Sequence, residues 1–137
     1  MFPYEDHERY FAKEIRPRLG PTAHFVGNLD FARKRRFLTA ARCLLVPSLI
    51  PETSSLVAME AIACGTPVVA FSAGALREIV DPGVTGFLVE NTQEMAEAIH
   101  AVDQLDSQRC RATARHRFPH ERMVQRYLDY HHRLAAR

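Results

Sequence analysis

Glu60 is the residue of this 137-residue chain whose setting most demands a chemical explanation. It is the single charge in the run Leu56-Val57-Ala58-Met59-Glu60-Ala61-Ile62-Ala63-Cys64. A helix that is apolar nearly all round belongs in a core. A carboxylate carried there needs a partner, because an unpaired buried charge is costly. Glu52-Thr53-Ser54-Ser55 stand where that helix begins, and the free N–H groups and positive dipole end of a helix start form a ready site for phosphate. Glu60 lies roughly five or six residues into the helix, or about 8 Å at the usual rise. That is close to the span from the diphosphate of a nucleotide to its ribose hydroxyls. A carboxylate accepts two hydrogen bonds at once, which suits a vicinal diol. A second arrangement fits the same spacing: Glu60 pairs with an internal arginine, and Ser54 or Ser55 merely caps the helix.

The elements that would hold these residues alternate. Apolar runs at Thr22–Val26, Cys43–Val46, Pro67–Phe71 and Gly86–Val89 read as strands. The run 43–46 has no polar alternation, so both its faces should be buried. Between and around them, helical spacing predicts helices over 5–16, 31–41, 54–64, 75–80, 92–105, 107–117 and 121–137. Gly65-Thr66-Pro67 carries the stop signal expected just past a helix end. In the last helix Val124, Tyr127, Leu128, His131 and Leu134 form the stripe expected to face inward. Short strands alternating with helices argue an α/β fold: a Rossmann-like parallel sheet of about four strands, helices on both faces and a C-terminal helical tail. Such sheets bind ligands at the carboxyl ends of their strands. The loops to inspect are therefore Gly27-Asn28-Leu29, Pro47–Thr53 and Ser72-Ala73-Gly74.

Composition narrows the classes. The length suits one domain, and the formal charge of +2 makes no electrostatic case for nucleic acid. Cys43, Cys64 and Cys110 are odd in number and form no CxxC pair. Reduced thiols in apolar runs behave as small hydrophobes, so a reducing, cytoplasmic compartment is expected. The N-terminus has no basic-then-apolar leader, and no apolar run approaches the ~20 residues that span a bilayer. His116 and His120 have metal-ligand spacing only on an unbroken helix, and Pro119 lies between them. Arg33-Lys34-Arg35-Arg36 reads as a solvated helix face. Ser48 and Ser54 lack a GxSxG context, so neither is expected to be a nucleophile.

Pro47-Ser48, Glu52, Glu60-Ala61, Gly65-Thr66-Pro67-Val68-Val69, Gly74, Glu78-Ile79-Val80 and Gly83-Val84-Thr85-Gly86-Phe87-Leu88-Val89 together resemble the signature of group 1, or family 4, glycosyltransferases. The similarity runs over residues 23–102. A bare Glu-x7-Glu pair is weak, but Glu52 and Glu60 followed by Ala-x-Ala-Cys-Gly-Thr-Pro-Val-Val make it specific. The resemblance implies half of a two-domain GT-B enzyme, the C-terminal half that binds a nucleotide-diphosphate sugar. It implies that Glu60 holds the ribose diol and that Glu52, near the anomeric centre, contacts hydroxyls of the donor sugar and is the catalytic residue. Thr53, Ser54, Ser55 and Leu56 would surround the distal phosphate, with backbone amides of the last three holding it, and Leu29 would pack on the base. The family mostly retains anomeric configuration and commonly needs no metal or other cofactor; this chain has no Asp-x-Asp pair.

Two departures qualify the resemblance. Where the family has Gly-Phe-Gly-Leu after its first Glu, this chain has Thr53-Ser54-Ser55-Leu56. Serine restricts close backbone approach, but its hydroxyl is a new donor for a phosphate oxygen. The family also carries an Arg and a Lys that clamp the diphosphate in the first strand–helix unit of this domain, and the chain is expected to lack that unit. A sugar or lipid-linked acceptor would then be held by a missing N-terminal domain or a partner chain, and peripheral membrane association fits such a complete enzyme. Two rivals stand beside transfer: a non-catalytic nucleotide-binding fragment or partner subunit, and a nucleotide-sugar epimerase of the same fold.

Overall fold

The computed structural model describes residues 4–135. The chain divides into two units, residues 1–34 and 35–137. In the first, α1 (Glu5–Tyr10) runs on through a π-helical turn (Phe11–Ile15) into a 3₁₀ turn (Arg16–Arg18). Pro17 sits at the first turn of that last piece, where its missing N–H costs nothing. The stretch read as a strand over 22–26 is not one. Ala23 only exchanges hydrogen bonds with Gly20, at 2.9 and 3.2 Å, and residues 24–30 belong to no ladder. Phe25 instead packs at a tilt against the buried Phe11, ring centroids 4.5 Å apart. A strand exists only where a neighbour completes its hydrogen bonds.

Three strands, β1 (Leu44–Val46), β2 (Val68–Phe71) and β3 (Gly86–Val89), form a parallel sheet in the order β1-β2-β3. The register pairs Leu44 with Val68 and Val68 with Gly86. The sheet therefore has three strands among the described residues, where about four were expected. Being central, β2 is buried on both faces over Val68–Ala70. At the edge, β1 is not: Val46 is buried, Leu44 half-buried and Leu45 exposed, contrary to the reading of that strand as doubly covered.

Alternation along the strands builds two cores. Val46, Val68 and Ala70 face one side, where they pack with Leu38 of α2 (Phe31–Ala40), Ala58, Ala61 and Ile62 of α3 (Leu56–Cys64), Leu76 and Ile79 of α4 (Leu76–Ile79), and Cys110 and Ala114 of α6 (Ser107–Arg117). Val69 and Val89 face the other, against Met95 and Ala98 of α5 (Thr92–Ala101) and Val102 of the 3₁₀ turn after it. Helices thus cover both faces of a Rossmann-like sheet. Two polar contacts join the ends of these elements. The buried Thr66 hydroxyl donates to the Leu38 carbonyl. Arg42 makes a two-pronged contact with Asp103, at 2.8 and 2.7 Å.

The ends of α3 follow its sequence. Gly65 takes the left-handed conformation, φ 86°, and the Thr66 amide reaches back to the Ala61 carbonyl at 2.9 Å. That closes the helix as a Schellman motif. The Arg111 guanidinium lies against Gly65, where a Cβ would meet it at 2.6 Å. A cation there also complements the negative end of the helix dipole. The helix is nonetheless buried on one side only: Ala58, Ala61 and Ile62 are covered, whereas Leu56 is 70% exposed and Val57 and Ala63 are exposed.

The tail also departs from its pattern. α7 (His120–Ala135) is amphipathic as read, but none of its residues is buried. Val124, Tyr127, Leu128 and Leu134 stand in solvent, Tyr127 at 73%. The helical reading of 136–137 lies outside the described residues. α6 ends at Arg117 and α7 begins at His120, so His116 and His120 do not share a helix. No helix of the described residues is long and apolar enough to cross a membrane.

Candidate functional site

In a parallel sheet every strand delivers its following loop to the same edge. Here the carboxyl edge receives residues 47–55 after β1, Ser72–Ala75 after β2, and Glu90-Asn91 after β3. The first two loops touch: the Ala75 amide donates to the Glu52 carbonyl at 2.8 Å. Glu52, half-buried, sits at that junction.

The starts of α5 and α6 are capped by side chains, and those of α3 and α4 are not. Asn91 caps α5: its Oδ1 accepts from the Glu94 amide at 2.9 Å, and the Glu94 carboxylate reaches back to the Asn91 side chain and the Glu90 amide. Asp106 likewise caps α6 by accepting from the Gln108 amide. α3 begins with Ser55 at its cap position and no side-chain capping bond. The first amides of a helix have no intrahelical acceptor, so α3 opens onto the carboxyl edge with donors and dipole uncompensated by its own side chains.

The hydroxyls of this loop separate. Thr53 and Ser54 are exposed. Ser55 is 3% exposed, and its Oγ is buried without a hydrogen-bond partner. Of the two residues that stand in place of glycine, Thr53 is exposed and Ser55 turns in; Ser54, in place of phenylalanine, is exposed. Leu56 projects its side chain into solvent.

Glu60 lies five residues beyond Ser55, about 7.5 Å along the axis. It is half-buried, not enclosed in a core as the apolar run suggested. It lines a cleft of about 510 Å³ between α3 and α6, with Leu56 and Met59 on its own helix and Arg111, Arg115 and Phe118 opposite. The two arginines were not singled out by sequence, although they stand four apart on α6 and so share a face. The arrangement that pairs Glu60 with an arginine therefore has candidate partners across the cleft. Leu29 belongs to the first unit, half-buried in the irregular segment before α2.

Thiol chemistry stands apart from this edge. Cys43 and Cys64 are half-buried and Cys110 is buried, all three free. Burial pushes the Cys43 thiol up, partly offset by the Arg42 guanidinium. Burial, then the Asp106 carboxylate, pushes Cys110 up. The core thiol is thus Cys110, although it is Cys43 and Cys64 that stand in the apolar runs of the sequence.

Comparison with known proteins meets this geometry. A family model described as Glycosyl transferases group 1 matches residues 4–104, and the chain belongs to that family. A D-inositol 3-phosphate glycosyltransferase of Nocardioides sp. is 35% identical over 124 residues, covering 85% of this chain and 27% of that protein. D-inositol 3-phosphate glycosyltransferase 1 of Catenulispora acidiphila is 51% identical over 65 residues, covering 46% of this chain and 15% of that protein. A D-inositol 3-phosphate glycosyltransferase of Mycobacterium sp. strain KMS is 46% identical over 70 residues, covering 51% and 16%. The chain thus spans about a quarter or less of the length of these relatives.

Proposed function

We propose that the carboxyl edge of this sheet binds a nucleotide-diphosphate sugar for glycosyl transfer with retention. The observation that carries the reading is the start of α3. It is an uncapped helix end at the carboxyl edge of a parallel sheet, with a carboxylate ahead of it and another about one and a half turns within. Backbone amides at Ser54, Ser55 and Leu56 hold the distal phosphate, helped by the outward hydroxyls of Thr53 and Ser54. Glu60 accepts from the ribose diol. Glu52 accepts from hydroxyls of the donor sugar and so orients its anomeric carbon.

As the glycosidic C–O bond breaks, negative charge gathers on the diphosphate. Helix-start amides stabilise that charge without reorganising, which is often the largest catalytic contribution. The acceptor then attacks from the face the diphosphate leaves, which preserves configuration. Acceptor positioning and exclusion of water belong to an acceptor-binding domain or partner chain beyond these 137 residues. In this reading no metal bridges the diphosphate.

The test titrates the chain with UDP, GDP and ADP and their glucose and mannose conjugates, followed by NMR. One nucleoside diphosphate should bind, in chelator as in its absence, and Glu60→Ala should lose it while keeping the fold. Losing one hydrogen bond to a charged group costs about 1.5–3 kcal/mol, or about 10- to 150-fold in affinity. Glu60→Ala binding as tightly as the parent would refute the ribose assignment. For transfer, the chain alone and the chain with added acceptor-domain protein are incubated with labelled donor and D-inositol 3-phosphate. Multiple turnovers by the chain alone would refute the division of labour. Sugar isomerisation without acceptor would favour an epimerase.

A further inference from the structure

The turn after β2 meets the Glu52 loop backbone to backbone. Gly74 has φ +52°, and a Cβ there would lie 2.5 Å from the Glu52 carbonyl oxygen, 2.6 Å from its nitrogen and 2.8 Å from the Pro51 carbonyl carbon. None of these atoms is the far end of a flexible side chain, so neither partner can yield without a backbone shift. The adjacent Ala75 amide donates to the same Glu52 carbonyl at 2.8 Å. One glycine without a side chain and one amide together seat Glu52.

The seat is itself braced. The Ser72 amide continues the sheet ladder to the Val89 carbonyl at 2.9 Å. From α4, Arg77 donates through Nε and Nη2 to the Ser72 carbonyl, at 3.0 and 2.7 Å, and through Nε to its hydroxyl at 3.0 Å. A guanidinium fork of this kind holds geometry as well as charge. The turn is thus bound to β3 on one side and to α4 on the other, and Glu52 rests against it.

We propose that the Ser72–Ala75 turn is a rigid platform that sets the position of Glu52 toward the donor sugar, with Gly74 as the positioning residue and Arg77 as its brace. The proposal rests on the assignment of Glu52 to the sugar made above. It makes the carboxyl end of β2 a determinant of sugar recognition through the backbone, with no side chain of its own at the ligand.

Gly83 supplies the control. It also has positive φ, +75°, but nothing lies within 4 Å of a Cβ built on it, and it turns the chain into the amino end of β3. Gly83→Ala therefore carries the left-handed backbone cost without the clash. The experiment compares the parent, Gly74→Ala, Gly83→Ala, Arg77→Met and Glu52→Gln. It measures amide exchange and chemical shifts without ligand, then affinities for a nucleoside diphosphate and for its sugar conjugate, UDP and UDP-glucose or GDP and GDP-mannose.

In Gly74→Ala the Ala75 amide should lose protection and the signals of Glu52 and Thr53 should move, whereas Gly83→Ala leaves them in place. The preference for the sugar conjugate over the bare diphosphate should fall about tenfold in Gly74→Ala, as in Glu52→Gln. Arg77→Met, which removes the brace without a clash, should lower the same preference less and leave diphosphate affinity within about twofold. If Gly74→Ala folds but leaves the Ala75 and Glu52 signals unmoved, the proposal is overturned. An equal loss of affinity for both ligands also overturns it, since a general structural role would produce that. If Gly74→Ala does not fold, Arg77→Met decides by the same two readouts. If Glu52→Gln leaves the sugar preference untouched, the assignment of Glu52 fails, while the ligand-free signals still decide whether Gly74 seats it.

Discussion

Replacing Ser55 by alanine should stabilise the protein, against the usual expectation for a serine at a helix start. Ser→Ala at such a position ordinarily costs about 0.5–2 kcal/mol, because the hydroxyl accepts from an amide of the first turn. Ser55 makes no such bond, so that loss does not arise. Its Oγ is buried without a partner, and an unsatisfied buried polar atom costs about 1–3 kcal/mol. Removing it recovers part of that, offset by the small void left behind, for a net gain of about 1 kcal/mol. In a domain of this size the melting temperature should rise by about 3–5 °C. Nucleotide affinity should stay within about twofold, since phosphate is held by backbone amides and the outward Ser54. Thermal unfolding by circular dichroism, with and without nucleoside diphosphate, reads both. A melting temperature several degrees below the parent would show that the hydroxyl does cap α3. An unchanged melting temperature with a tenfold loss of affinity would show that it turns outward to the ligand.

Two further outcomes concern stability. Cys110 and Cys43 have thiols pushed up by burial, so the unfolded chain ionises first as pH rises. Their contribution is complete below the ordinary thiol range of about 8.5 and is lost as pH climbs from there toward the folded values. Melting temperatures from pH 7 to 10.5 should fall less steeply in Cys110→Ala than in the parent, and Cys110 should be the last thiol labelled; prompt labelling before unfolding would contradict its core placement. Arg117 pairs with Asp81 at 2.8 Å, an ion pair whose Nη1 is not aligned for a hydrogen bond, and also donates to the Glu78 carbonyl. With both side chains partly exposed, Arg117→Met should cost about 1 kcal/mol in urea unfolding, and no change would mean the contacts are incidental.

What could be read along the chain was whatever rests on local periodicity and local backbone chemistry. Val68–Phe71 and Gly86–Val89 announced themselves as strands because continuous β-branched and aromatic runs bounded by turn residues have few other uses. Gly65-Thr66-Pro67 announced the end of α3 because only a left-handed residue closes that helix with its carbonyls satisfied. The spacing of Glu52 and Glu60, and the motif around them, was enough to name the family. The parallel order of the strands then placed the loop after Pro47 and the turn at Gly74 on one edge.

Other features needed the partner that tertiary structure supplies. The run 22–26 has strand composition but no ladder, and Leu45 is apolar but lies on an edge. The stripe of α7 is periodic, yet none of its residues is covered by the described residues. Periodicity says which residues share a face but not what lies against that face. The outward and inward turns of Ser54 and Ser55, the arginines facing Glu60 across a cleft, and the seat under Glu52 all join residues distant in sequence or adjacent but oppositely directed. The residue types, the stop of α3 at Gly65 and the family were legible along the chain, because these depend on side-chain chemistry and on neighbours a few positions away. Only the folded chain decided that Gly74 meets the backbone of Glu52, because that contact exists once two strands are laid in register and their loops are delivered to the same edge.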